Sequence, residues 1–272
     1  METLAATRVL SSIRRGSSWP VVVETEAGPR LVKLRGAGQG TGPLVAELIV
    51  GALAEALELH VPARALVVLE RKIPSDDRDE ELGDLLRAST GVNLGFELLR
   101  DVRDVQADDL AALDAVEAAA VLWLDRLVLN TDRTLRNPNL LLQGRRLYLI
   151  DNGAALRFQY DWMAVTEAAA RRIVPEREPH LLARVAQSKD WPTWDAVFAG
   201  RLTRSVLQSA VDDVPDTFLL PLLPATIAST IAAAEALRRR RAAYVAFLWK
   251  RLQPPRAFAG ALPDGAVPAA GF

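Results

Sequence analysis

The chain has 272 residues, half of them hydrophobic, which is enough to bury one sizeable core or two small ones. Its 33 Lys and Arg against 34 Asp and Glu give a formal charge of −1, so no overall field attracts nucleic acid or an anionic membrane. The absence of cysteine excludes disulfides, thiolate metal sites and cysteine nucleophiles.

The N-terminal part of the chain has the pattern of a β-hairpin. Residues 20–25 are a short run rich in β-branched side chains, and residues 27–29 (Ala-Gly-Pro) are typical of a turn. Residues 30–34 mix polar and apolar side chains, as a half-buried strand does. Together these three segments predict two strands joined by a tight turn.

A glycine-rich loop over residues 36–42 leads into a predicted helix. Pro43 lies where a helix can begin, because its fixed φ suits the first helical turn. Residues 44–58, rich in Leu, Ala and Val, predict a helix, and residues 65–70 predict another buried strand. The charged, proline-interrupted stretch 71–80 is then the best candidate boundary between two lobes.

Beyond this boundary the sequence is mostly helical. Apolar residues in 108–128 recur on one helical face, and residues 140–142 and 147–150 predict two short strands around a turn. Residues from about 162 to 252 predict helices with Pro and Trp breaks. We therefore expect a β-rich N-terminal lobe, a helical C-terminal lobe and a disordered Pro- and Gly-containing tail, at 1–72, 73–252 and 253–272 respectively.

Three features bear on the compartment and on partners. The first 16 residues lack a long apolar core after a basic start, so no secretory signal is predicted. Residues 217–234 carry no charge, but prolines interrupt them, which predicts a loop running into a buried helix and not a membrane span. The basic run 238–241 is predicted to be a solvated helix face. We expect a cytoplasmic protein without nucleic-acid or membrane partners.

Three polar side chains in the middle of the chain suggest a chemistry. Asp132 is followed by Asn137 five residues later and by Asp151 fourteen residues after that. Phosphoryl transfer from ATP needs a carboxylate at the acceptor hydroxyl and hard oxygen ligands for Mg²⁺ bridging the phosphates. The Asp-x-x-x-x-Asn loop supplies the first carboxylate and one ligand, and the second Asp supplies the main metal ligand.

The same segment resembles the HipA-like kinases. It has an Asn-x-Asp-Arg loop at 130–133, an Asn five residues after the Asp, and a hydrophobic strand ending in Asp. The spacing is also similar to that of protein kinases. Arg15 to Pro20, the strand ending near Lys33 and the glycine-rich run extend the resemblance to smaller bacterial HipA-like proteins. It implies an α+β, two-lobed protein-kinase-like fold, with a small β-rich N-lobe and a larger helical C-lobe.

The resemblance also implies a role for each matched residue. Asp132 would be the catalytic base, and Asn137 and Asp151 would bind Mg²⁺. Lys33 would contact the ATP phosphates, and Glu47 would hold Lys33 in place. The loop that covers the phosphates through backbone N–H groups would be formed by Gly16, Ser17 and Ser18. The hinge beside adenine would be formed by Leu69 and Glu70.

Other polar residues are assigned roles outside the chemistry, and two depart from the family pattern. Asn130 is predicted to brace the loop, and His60 and His180 lack metal-ligand spacing and are predicted to be structural. Thr134 stands where the toxin-type loop has His, and Asn152 stands where His or an aromatic residue is expected. Neither departure removes a group needed for metal or base chemistry.

The implied activity is ATP- and Mg²⁺-dependent phosphorylation of a hydroxyl, with Ser or Thr of a protein as the acceptor that the family favours. Two alternatives stay open. A kinase for a small-molecule hydroxyl would use the same phosphate machinery. A non-catalytic nucleotide-binding or interaction module is disfavoured by the intact Asp132, Asn137 and Asp151, but no strict G-x-G-x-x-G or Walker lysine motif is present.

Overall fold

The N-terminal part of the protein is a small closed β-barrel. The computed structural model describes residues 1–14, 19–186, 190–228 and 232–260. Five strands form the barrel: β1 (Thr3–Ser12), β2 (Val21–Thr25), β3 (Arg30–Lys33), β4 (Arg64–Leu69) and β5 (Gly91–Glu97). Their order is β1-β2-β3-β5-β4, and β1 closes the barrel by pairing in parallel with β4, whereas all other pairs are antiparallel. The predicted hairpin is confirmed as β2 and β3, and the predicted strand at 65–70 as β4.

The barrel encloses its own hydrophobic core. Alternate side chains of its strands face inward, among them Val9, Val32 and Leu69, and helix α2 (Glu80–Ala88) adds Leu82 and Leu86 to the same cluster. Asp79 begins α2, because its carboxylate accepts the backbone N–H of Leu82 at 3.1 Å. The helix therefore buries its apolar face against the barrel and leaves its charged face in water.

Three barrel-associated elements were not predicted: β1, α2 and β5. The alternation of buried residues along β1 is interrupted by irregular pairing on either side of Arg8 and Val9, which hides the strand period of two. Because β5 pairs with both β3 and β4, the barrel continues to Glu97. The boundary predicted after residue 72 therefore falls between two strands of the barrel. The charged stretch 71–80 connects β4 to α2, and β5 follows α2.

Helix α1 (Gly42–Ala56) leaves the barrel between β3 and β4 and is buried on nearly all sides. It packs against helices of the C-terminal part and against the turn Asn152–Ala154, so its apolar residues belong to a second, larger core. The predicted helix over 44–58 is confirmed. Its nearly uniform burial explains why Leu, Val, Ile and Ala occupy all its faces instead of one stripe.

The C-terminal part is mostly helical. Its helices are α3 (Ala115–Val128), α4 (Glu167–Arg171), α5 (Trp191–Arg201), α6 (Arg204–Asp212), α7 (Asp216–Leu219), α8 (Ala225–Ala228) and α9 (Ala233–Leu252). A small sheet is formed by β6 (Arg103–Asp104), β7 (Leu140–Gln143) and β8 (Arg146–Leu149), and β7 and β8 are the predicted hairpin. The predicted helix over 108–128 is instead a 3₁₀ turn and α3, because the Asp114 carboxylate accepts two backbone N–H groups and begins α3.

Three further predictions concern this part: the absence of a membrane span, the disordered tail and the solvated basic run. Within the described ranges, no helix has both the length and the apolar character to cross a membrane. The first residues of the predicted tail form a 3₁₀ turn, Ala257–Ala259, that buries Phe258 against Trp123, and residues 261–272 lie outside the described residues. The solvated-face prediction for 238–241 is wrong for its second half. Arg240 stacks over a tryptophan ring, and Arg241 donates to two carbonyl groups.

Candidate active site

Several of the side chains singled out in the sequence line one cleft. Its volume is about 1220 Å³, which exceeds that of typical small-molecule pockets. Barrel strands, α1, the loop after α3 and the segment after β8 all contribute to the lining. Five of the predicted site residues are in it: Lys33, Glu47, Asp132, Asn137 and Asp151.

Lys33, Glu47 and Asp151 form one ionic group at the inner wall of this cleft. Lys33 ends β3, Glu47 lies on the second turn of α1, and Asp151 follows β8. The Lys33 ammonium donates to Glu47 Oε1 and, at 2.7 Å, to Asp151 Oδ1. Burial opposes the charge on Lys33, but the two carboxylates outweigh it and raise the pKa of Lys33 above its ordinary value. The lysine is therefore a fixed positive charge at neutral pH.

Asp151 occupies a strained backbone position. Its φ of 53° and ψ of 58° lie in the left-handed region, which Asp and Asn tolerate better than most residues. The left-handed turn ends β8 abruptly and starts the 3₁₀ turn Asn152–Ala154. Half of the Asp151 side chain stays exposed, so it faces the cleft while it contacts Lys33.

The loop after α3 is held by Asn130, as predicted. Leu129 ends the helix in the left-handed conformation. Asn130 Nδ2 donates to Asp125 Oδ1 at 2.9 Å, and Asn130 Oδ1 accepts the backbone N–H of Asp132 at 3.1 Å. These two contacts join the end of α3 to the start of the loop and set the direction in which Asp132 leaves the backbone.

The Asp132 carboxylate is oriented by two amides. Its Oδ2 accepts from Asn137 Nδ2 at 2.9 Å and from Asn139 Nδ2 at 3.4 Å. The intervening turn is closed by Thr134, whose backbone N–H donates to the Asn137 carbonyl and whose hydroxyl accepts the Asn137 N–H. In the described part of the chain, Asp132 Oδ1 accepts no hydrogen bond, so one oxygen of this cleft-lining carboxylate is left as an available acceptor.

The two predicted metal ligands each keep an oxygen atom available. Asn137 uses its amide hydrogens on Asp132, which leaves Oδ1 as an acceptor, and Asp151 Oδ2 has no hydrogen-bond partner among the described residues. No group of three or more His, Asp or Glu in the described ranges could hold a metal ion. Two oxygen ligands fit Mg²⁺, which usually takes one or two protein ligands and completes its shell with phosphates and water.

A fully buried arginine lies beneath the loop. Arg133 Nε donates to Asp125 Oδ2 at 2.7 Å, Nη2 donates to Asn152 Oδ1 at 2.9 Å, and Nη1 donates to the Asn139 carbonyl. The side chain is 0% exposed, so these contacts replace its hydration. Arg133 thereby connects α3, the two ends of the loop over residues 130–139 and the segment after Asp151.

His180 completes this buried cluster. Its Nδ1 accepts the backbone N–H of Leu182 at 3.1 Å, so the ring hydrogen is on Nε2, which donates to Asp125 Oδ2 at 2.8 Å. Burial alone would raise the pKa of Asp125, but Arg133 and His180 outweigh it and hold that pKa below its ordinary value. The structural role predicted for His180 is thus a specific one, since it braces the carboxylate that holds the loop.

Other predicted residues lie elsewhere. Leu69 faces the barrel interior, Glu70 is exposed, and neither lines the cleft. The segment Glu97 to Leu99 lines it instead, because β5 and not β4 is the neighbour of β3. The phosphate-loop prediction for Gly16, Ser17 and Ser18 falls outside the described residues.

Sequence reasoning assigned no supporting role to Asp125, Arg133, Asn139 or Asn152, although Arg133 and Asn152 belong to the motifs on which the resemblance is based. One signal was present for Asp125, a carboxylate within the apolar run of α3. A buried carboxylate in such a run requires a cationic or hydrogen-bonding partner. The identity of that partner depends on tertiary contacts, and the pattern within the helix does not specify it.

The chain is similar to known kinases in sequence and in structure. A family model described as HipA-like kinase matches residues 6–219. Among solved structures, the proinflammatory kinase CtkA of Helicobacter pylori is similar, with 13% sequence identity and a TM-score of 0.47. The similarity covers 86% of this chain and 94% of that one. No curated protein gives a significant match.

Proposed function

Because the chain belongs to the HipA-like kinase family, we propose that it uses Mg²⁺ and ATP to phosphorylate a Ser or Thr hydroxyl in a protein. The observation that supports this proposal is the meeting of Lys33, Glu47 and Asp151 with Asp132 and Asn137 around one cleft. We also propose a two-lobed arrangement, with the barrel through Glu97 as the N-lobe, the helical part as the C-lobe, and the cleft between them.

Each side chain has a distinct part in this proposal. Lys33 binds the ATP phosphates as a fixed positive charge, and Glu47 holds the lysine in place. Asn137 and Asp151 would hold Mg²⁺ through their available oxygens. The metal ion, when bound, neutralises charge on the phosphates and orients them.

Asp132 acts on the acceptor. Its free carboxylate oxygen accepts the hydroxyl proton as the hydroxyl oxygen forms a bond to the γ-phosphorus. The bond between that phosphorus and the bridging oxygen breaks, and ADP leaves with the electron pair. The amides of Asn137 and Asn139 orient the carboxylate for this task by occupying its other oxygen.

The test is a labelling experiment with γ-labelled ATP and Mg²⁺, with the pure protein alone and with cell lysate. We expect label on protein, and a loss of at least about 100-fold in Asp132→Asn and in Asp151→Asn. Asp132→Asn should still bind MgATP, seen as a higher melting temperature, because Asp132 faces the acceptor and not the nucleotide. The matched control is Asp108→Asn, which should label normally, because Asp108 is exposed and is not among the residues that line the cleft.

Three other outcomes would contradict the proposal at different levels. ATP turnover only in the presence of a metabolite pool would indicate a small-molecule acceptor. MgATP binding without any turnover would indicate a non-catalytic nucleotide-binding module. If neither MgATP nor Mg²⁺ changed the melting temperature, nucleotide binding itself would be excluded.

A further inference from the structure

Asn152 lies directly after Asp151 and connects two parts of the site that are distant in sequence. Its Oδ1 accepts a hydrogen bond from Arg133 Nη2 at 2.9 Å, and its Nδ2 donates to Glu47 Oε2 at 3.3 Å. The residue is 2% exposed, so water does not substitute for either contact. We propose that Asn152 is a positioning residue that fixes Glu47, and through it Lys33, relative to the loop over residues 130–139, which is the catalytic loop of the proposed function. This inference rests on the proposed function.

The two partners determine what the side chain at 152 must offer. Arginine has only donors, and the Glu47 carboxylate, which already accepts from Lys33, has only acceptors. An asparagine amide supplies one acceptor and one donor, and the partners fix which end faces which. A carboxylate at this position would satisfy Arg133 but would place two acceptors against each other at Glu47. An apolar side chain would satisfy neither partner.

Asn152 is also the neutral link between two charged groups. On one side the Arg133 guanidinium is paired with the Asp125 carboxylate, which His180 braces. On the other side the Glu47 carboxylate is paired with Lys33, which also contacts Asp151. Because the two buried carboxylates, Asp125 and Glu47, each already have a cationic partner, a neutral amide joins the groups without adding a charge to a buried region.

This arrangement gives a physical meaning to a departure from the family pattern. Position 152 was expected to carry His or an aromatic residue, and the contacts show an amide bridging α1 and the catalytic loop. Glu47 is held from two directions, by Lys33 at Oε1 and by Asn152 at Oε2. Its position therefore depends on the catalytic loop as well as on the barrel.

A double-mutant cycle between positions 47 and 152 tests the proposal, with the Kd for MgATP measured by calorimetry. In the wild-type background we expect Asn152→Asp to raise the Kd about tenfold, because two carboxylates then face each other. In the Glu47→Gln background the same change should raise it less than about threefold. There, the new amide at 47 can donate to the new carboxylate at 152, while the remaining oxygen at 47 still accepts from Lys33.

A matched control separates this coupling from general damage. Gln159 is a buried amide that donates to the Gly42 carbonyl and accepts from Tyr244, and it contacts neither Glu47 nor Arg133. Gln159→Glu should change the Kd by the same factor in both backgrounds. If Asn152→Asp does not fold, Asn152→Ala replaces it, and its effect should also be smaller in the Glu47→Gln background.

The outcomes distinguish this inference from the proposed function. Equal effects of the change at 152 in both backgrounds would overturn the positioning role, even if the wild type binds MgATP and transfers phosphate. A wild-type protein that neither binds MgATP nor transfers phosphate would overturn both. A smaller effect in the Glu47→Gln background, absent at position 159, is the result that supports a hydrogen bond between 47 and 152 acting on Lys33.

Discussion

Individual side chains in this protein show how a buried charge can hold a loop in place. Asp125 is fully buried, and among the described residues the hydrogen bonds to its carboxylate come from outside regular α-helix: Asn130, Arg133 and His180. The carboxylate is thus the common acceptor for the loop that presents Asp132. Its charge state should matter for stability as well as for the position of the loop.

We predict that the protein loses stability in acid because the Asp125 carboxylate becomes protonated. Its folded-state pKa is lowered, so its stabilising contribution is present above the unfolded pKa of about 3.9 and is lost as pH falls through the folded value. Asp125→Asn should therefore be less stable than the wild type at pH 7, by about 3 kcal/mol, because Arg133 keeps its charge and loses its partner. The difference in the free energy of unfolding between the wild type and Asp125→Asn should become smaller below about pH 4.

Urea unfolding at several pH values measures this difference. Asp108→Asn, an exposed control, should show a constant and small difference over the same range. A gap between wild type and Asp125→Asn that stays constant down to pH 3 would show that the Asp125 charge does not stabilise the fold.

Residues could be predicted from the sequence where they belong to a local pattern, and could not where their contacts form only in the folded chain. The sequence could offer Asp132, Asn137 and Asp151 as candidates because their spacing along the chain is a pattern, and Lys33 and Glu47 because of the predicted strand and helix on which they lie; all five line one cleft. Arg133 and His180 contact Asp125 across 8 and 55 residues, and no local period reports such a contact. For this reason, the supporting residues of a site are harder to predict from the sequence than the candidate reactive residues.

At the scale of elements, one arginine of α9 connects the ends of two other helices. Arg251 donates to the carbonyls of Arg126 and Leu127 at the end of α3, and to those of Ala170 and Arg172 at the end of α4. The last carbonyls of a helix lack partners within it, so they need donors from elsewhere. Burial lowers the pKa of Arg251 to about 10, which still leaves it charged at neutral pH.

We predict that Arg251→Lys destabilises the protein by about 2–3 kcal/mol. A lysine has three donors on one nitrogen and cannot reach four carbonyls around a planar fork, so buried acceptors lose their partners. Chemical denaturation is the measurement. Arg239→Lys on the same helix is the control, because that side chain is 79% exposed, and it should change stability by less than about 0.5 kcal/mol. Equal losses in the two variants would argue against this capping role.

Element prediction succeeded where local pattern and environment agree. The hairpin β2–β3, helix α1, strand β4 and the hairpin β7–β8 all have periods or turn residues that match their burial. Strand β5 was missed because Gly91, Asn93 and Gly95 interrupt its apolar run. Asn93 is nonetheless buried, since its side-chain Nδ2 donates to the Ser89 and Gly91 carbonyls and its Oδ1 accepts the backbone N–H of Arg35. Its strand character comes from pairing with β3 and β4, which are distant in sequence.

At the scale of the whole molecule, α1 joins the barrel to the helices. It lies between β3 and β4 in sequence, yet its side chains are buried in the core shared with the C-terminal helices. Separating the two parts would expose most of α1 to water. We therefore predict that both parts unfold in one cooperative transition.

Two probes can test this cooperativity. Five of the six Trp residues lie beyond residue 100, so Trp fluorescence follows the C-terminal part, whereas hydrogen exchange of amides in β2 to β5 follows the barrel. Their urea midpoints should coincide. Leu53→Ala on α1 removes a fully buried side chain and should lower both midpoints together, at a cost of about 3 kcal/mol. Separate midpoints would show two independent folding units.

The closed barrel has a consequence for how the protein behaves at high concentration. An open sheet presents a row of backbone donors and acceptors at its edge, to which a strand of another molecule can add. Parallel pairing of β1 with β4 removes both edges of the N-terminal sheet. In the small sheet, the His60 carbonyl accepts the Leu149 N–H beside β8, and the opposite edge is β6, only two residues long. Within the described ranges, few unpaired strand edges are therefore available to which a strand of another molecule could add, and aggregation by this route is disfavoured.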